Sequence, residues 1–201
     1  MNLQMINWKL YLENPAEVEP DEFFKVFNAW IPHSPEVYLD VADYQHVQDG
    51  PVTLLVGHYV NYSLDHTGRR LGLLADFKQP IAGSNVEKLT ATLLGLLKAA
   101  KRLADDTTFA HRPKFDASEL RFIINSRAVA PNTTQTFETV KPELMVVLEK
   151  AYGNAPVTPA DNVTPADNVT VEHLIDAKQR FMVQIKAKNK IDLNQLIQNL
   201  S

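Results

Sequence analysis

The sequence predicts an α+β fold in one domain spanning residues 1–201, a mainly antiparallel sheet with helices packed on it. Three observations carry this prediction. Apolar alternation, the signature of a half-buried strand, marks the chain at 6–12 and again at 181–187. The connections around Gly50 and Gly68 are too short for a parallel crossover, so the strands about them form an antiparallel meander. The order strand, helix, meander, long helix, strand, helix, strand, helix also lacks the regular alternation of a doubly wound parallel fold.

The first strand carries Ile6, Trp8, Leu10 and Leu12 on one face and Met5, Asn7, Lys9 and Tyr11 on the other. A helix follows over 20–31. Pro20 suits its first turn, Asp21 and Glu22 favour the positive end of its dipole, and Pro32 ends it. Phe23, Phe24, Phe27, Trp30 and Ile31 give it one apolar stripe, for packing within the chain or, alternatively, for a homodimer contact. Three strands are expected next, at 37–46, 52–65 and 69–78, with Gly68 supplying positive φ in the second turn.

"GSNVEKLTATLLGLLKAAKRLADD" is the clearest helix. Ser84 and Glu87 match a capping box, and Val86, Leu89, Leu93, Leu96, Leu97, Ala100 and Leu103 form its buried stripe. "ELRFIINS" reads as a strand with Leu120, Phe122 and Ile124 inward. "NTTQTFETVKPELMVVLEKAYG" reads as one or two helices, with Pro142 forcing a break or restart and Gly153 fitting the stop. Phe181, Val183, Ile185 and Ala187 share a face of the last strand, and Asp192 caps a short closing helix. VTPADN occurs twice in tandem, at 157–162 and 163–168. It marks an exposed loop over 154–170 that has absorbed a local duplication, since surface loops accept added length cheaply.

Composition excludes several function classes. Net charge is −4, with both signs mixed along the chain, so no basic patch points to nucleic acid or an anionic membrane. There is no cysteine, which removes disulfides, thiolate metal sites and cysteine nucleophiles and fits a reducing compartment. The first residues lack the basic start and apolar core of a signal peptide, and no apolar run reaches the ~18 residues of a membrane span. A cytoplasmic protein is therefore expected. Seven glycines without a G-x-G-x-x-G or Walker pattern make a phosphate-cradling loop an unsuitable reading, so no cofactor is expected.

The chemical candidates are acids and histidines. Asp40, Asp43, His46 and Asp49 crowd one stretch, and His58, Asp65 and His66 follow. Along one strand Asp40 and His46 stand about 20 Å apart, too far to share a metal, and no metal site is assigned. Pairing across a hairpin centred near Asp49 would instead set Asp40 opposite His58, Ala42 opposite Val56 and Tyr44 opposite Leu54. Asp40 and His58, with Tyr44 or Tyr62 nearby, then form a candidate catalytic group, because a carboxylate fixes an imidazole's tautomer and raises its basicity. The competing reading is a structural hydrogen bond between two half-buried groups. Arg121, Asn125 and Arg127, with Asn132, form a second candidate, a polar pocket for an anionic ligand. Two function classes follow. The preferred one is a non-enzymatic binding or assembly module; the other is a hydrolase-like acid–base enzyme using Asp40 and His58, with or without a metal.

Overall fold

The alternating segment at the start of the chain becomes the centre of the sheet. In the computed structural model, which describes residues 1–153, 168–176 and 178–201, β1 (Ile6–Leu12) is buried at all seven positions. Next come α1 (Pro20–His33) and the meander β2 (Tyr38–Asp43), β3 (Pro51–Gly57), β4 (Val60–Asp65) and β5 (Gly72–Phe77). The chain continues through α2 (Asn85–Asp105), β6 (Phe115–Ile124), α3 (Thr134–Tyr152), β7 (Val169–His173), β8 (Phe181–Ala187) and α4 (Leu193–Leu200). The eight strands form one antiparallel sheet in the order β2-β3-β4-β5-β1-β6-β8-β7.

Register assigns each face. One lateral row runs Val41, Leu55, Tyr62, Ala75, Trp8, Phe122, Val183 and His173. The four helices cover this face. Trp30 of α1 meets Tyr62, Thr92 of α2 bonds the Trp8 indole, Phe137 of α3 stacks on His173, and α4 packs on β6, α2 and α3. The hydrophobic core lies between the two layers, with Phe23, Phe27, Trp30, Tyr38 and Tyr62 forming an aromatic cluster under α1. No helix of the described residues is long and apolar enough to cross a membrane.

The capping box of α2 forms as the sequence indicates. Ser84 accepts from the Glu87 backbone N–H, and the Glu87 carboxylate accepts the Ser84 backbone N–H at 2.7 Å. Ser84→Ala leaves the Glu87 backbone N–H without its side-chain acceptor and is expected to lower stability by about 1 kcal/mol in urea denaturation. A change of less than a few tenths would contradict a working cap.

Four differences from the sequence reading matter. The stretch 52–65 is not one strand but two, β3 and β4, reversing at Gly57, His58 and Tyr59, so the meander holds four strands. A side chain at Gly57 would collide with the Val60 carbonyl, so only glycine lets the chain turn that tightly. α1 continues one residue past Pro32, and α3 runs unbroken through Pro142. Pro142 and Glu138 are both exposed, so water can take the Glu138 carbonyl that the missing N–H leaves open. β7 is an unforeseen edge strand. Residues 154–167 of the expected loop lie outside the described residues, while at 168–170 Asn168 is buried and Val169 already begins β7.

Candidate functional site

The face of the sheet away from the helices is polar, and it carries a cleft of about 880 Å³. Two rows of paired residues floor it. One runs Leu54, Ser63, Leu74, Lys9 and Arg121; the other runs Asn61, Asp76, Asn7, Ile123 and Met182. The turns at 49–51 and 67–68 wall one side, and the β7–β8 connection walls the other.

Lys9 sits at the bottom. Its ammonium donates to Asp65 at 2.5 Å and to the Thr67 carbonyl at 3.1 Å, and the two side chains of the pair are only 1% and 3% exposed. Burial pulls the Lys9 ammonium below the ordinary lysine value, while the Asp65 carboxylate opposes that pull. Asp65 also accepts from the Thr67 backbone N–H and hydroxyl, so its oxygens are well supplied. Asp49 accepts from Gly68 N at 2.8 Å, and Gly68 adopts φ 72°, which fixes this turn beside the pair.

Arg121 is held from behind. Its Nε donates to Gln184 at 3.0 Å, and Gln184 in turn donates to Glu119 and to the Leu120 carbonyl. Glu119 takes a two-pronged bond from Arg70 at 2.7 Å in each arm, lowering the Glu119 pKa. The Arg70 guanidinium lies 3.8 Å over the Tyr11 ring, closing that end of the face. Among the described residues the terminal nitrogens of Arg121 make no hydrogen bond. In the other row Asn7 is 1% exposed, and its Oδ1 has no hydrogen-bond partner among the described residues. Asn7 lines the cleft, and an orphaned buried acceptor is costly until it gains a donor.

The candidates read from sequence separate. Arg121 and Asn125 both line the cleft. Asn125 accepts from Arg180 at 2.8 Å and donates to Asp76 at 3.5 Å. Arg127 lies in a shallow depression next to it and donates to the Lys178 carbonyl. Asn132 has a structural position: its amide donates to the Leu174 and Asp176 carbonyls, so its oxygen accepts from His173 Nε2 at 2.6 Å. Burial lowers the His173 pKa.

The Asp40–His58 register requires correction. Val56, not His58, stands opposite Asp40, and Leu54 stands opposite Ala42, a slip of two residues. The cause is local: Asp43 accepts from Gln45 N at 2.9 Å, and this Asx turn ends β2 early. Asp40 is exposed and accepts from Val41 N; His58 is an exposed turn residue beside Tyr59. Among the described residues no hydrogen bond or ion pair joins them. Tyr44 is exposed beyond the end of β2. Tyr62 is buried under α1, where burial raises its pKa and its hydroxyl bonds the Gly95 carbonyl.

Lys9, Asp65, Asp76 and Asn7 were not foreseen as site residues. Alternation did place Asn7 and Lys9 on the face opposite Trp8, which was the available signal. These features define a two-layer α+β protein whose sheet face away from the helices carries a preformed polar cleft. No family model, curated protein or solved structure matches the chain.

Proposed function

We propose that this chain is a non-enzymatic binding module that holds a small polar molecule in the cleft on the open face of its sheet. One observation carries the reading: a cleft of about 880 Å³ floored by a buried Lys9–Asp65 ion pair and a buried Asn7 oxygen without a partner among the described residues. That volume falls within the range of small-molecule sites, roughly 300–1,000 Å³. Leu54, Leu74, Ile123 and Met182 supply apolar contact, while Arg121 and Asn125 supply oriented polar groups. Because Asp65 already satisfies Lys9, the pair serves as a rigid floor, and recognition falls to Arg121, Asn7 and Asp76.

The test is a thermal-shift screen of small polar carboxylates, phosphates, amines and amino-acid derivatives on the wild type and Arg121→Ala. At least one compound should raise the wild-type midpoint by several degrees, with the shift lost or much reduced in the variant. Shifts that persist unchanged in Arg121→Ala would place binding elsewhere and overturn the proposal. So would a screen in which no compound acts.

A further inference from the structure

Resting on that reading of the cleft, we infer that its ligand is a zwitterion of dipeptide length, carboxylate on Arg121 and amine on Asp76 and Asn7. The distribution of unused donors and acceptors points there. At one end the Arg121 guanidinium lies 5.7 Å over the Tyr11 ring and, among the described residues, is hydrogen-bonded through Nε alone, which leaves its terminal nitrogens for a carboxylate. At the other, the buried Asn7 Oδ1 has no donor among the described residues. Asp76 is its direct cross-strand neighbour, held among the described residues by a single 3.5 Å bond from Asn125. An acceptor and a carboxylate side by side call for an N–H-rich cation.

The charge balance supports both ends. With Lys9 neutralised by Asp65, the lining still carries Asp49, Asp76, Glu172 and Asp176 against Arg121 and Arg180. A polyanion would meet that excess of acid, and a simple amine would leave Arg121 unused.

Spacing sets the length. Asp76 lies on β5 and Arg121 on β6, with β1 between them and an offset of two residues. This separates their Cα atoms by about 12 Å. The side chains do not close that gap. Arg121 reaches across β1 towards the β4–β5 connection, with Nη1 3.4 Å from where a Cβ on Gly68 would stand, so it nears the strand of Asp76 while moving away from Asp76 along it. Allowing one hydrogen bond at each end leaves roughly 6–7 Å, the reach of two extended residues. A single α-amino acid is too short. Leu74 and Ile123, lying between the two ends, would contact the ligand's side chains.

The experiment uses a panel of dipeptides with aliphatic, aromatic and charged side chains, each as the free zwitterion, the N-acetyl form and the C-terminal amide. Single amino acids are included, and thermal shift and calorimetry give the readout. Free dipeptides should bind best, each blocking group should weaken binding about tenfold or more, and single amino acids should be weaker still. Each tenfold excess of ligand over Kd should raise the midpoint roughly 3–5 °C. Asp76→Asn should erase the preference for the free amine, and Arg121→Met the preference for the free acid. N-acetyl or amide forms that bind as well as the zwitterion would overturn the inference. So would dipeptides that fail while another compound binds in an Arg121-dependent way, which leaves the cleft reading standing. Silence in both screens would remove both.

Discussion

Asp65→Ala is expected to destabilise the protein by about 3–5 kcal/mol, because it strands the Lys9 ammonium in the sheet without its counter-charge. Lys9 is buried in the central strand, and desolvation already pulls its proton affinity down with Asp65 in place. The Thr67 carbonyl would remain its one hydrogen-bond partner among the described residues. For a chain of this size the loss corresponds to a fall of roughly 6–20 °C in the thermal midpoint. The double replacement Lys9→Met with Asp65→Leu removes both charges and should recover most of the stability, since a well-packed apolar pair often matches a buried ion pair. Urea denaturation of the single and double variants decides it. A single variant within 1 kcal/mol of wild type would show that water reaches Lys9, and the account of the cleft floor would fail.

Trp8→Ala is the second large effect, also about 3–5 kcal/mol. The indole is fully buried where β1 meets α2, with its ring 4.9 Å from Phe122 and its Nε1–H donating to Thr92 at 2.9 Å. Removing it opens a cavity between the two layers that a rigid sheet cannot collapse into. Trp8→Phe keeps most of the volume and drops only the hydrogen bond. Thr92 still donates to the Lys88 carbonyl, so no buried donor is stranded there and the cost should be nearer 1 kcal/mol. Far-ultraviolet circular dichroism is the suitable probe, because Trp8 is one of two tryptophans and its removal alters fluorescence directly. Equal losses in the two variants would assign the stabilisation to the hydrogen bond and overturn the packing argument.

The legible parts of the fold are those written in local periodicity. Ser84 and Glu87 announce the start of α2, Asp192 the start of α4, and the alternations at 6–12 and 181–187 the strands β1 and β8. β7 escaped because Val169–His173 follows a Pro-containing repeat and offers too few residues to show a period. The turn at Gly57 escaped for a related reason. Apolar residues continue on both sides of it, and a strand interrupted by one glycine looks like a strand with a bulge. Missing that turn inverted a face: Leu55, not Leu54, lies under the helices with Tyr62. Because side chains alternate, one unread reversal re-aims every residue before it.

Capping, turn chemistry and alternation act over a few neighbouring residues, so the class of fold, most of its elements and the two faces of β1 were legible before any coordinates. The sequence also placed Arg121 and Asn125 among the candidate ligand contacts. The interior position of β1, the burial of Lys9 on Asp65, and the meeting of Asn7, Asp76 and Arg121 in one cleft emerge only in the folded chain. Those facts depend on strand order and register between segments many residues apart. The energies that set them come from packing across the whole sheet.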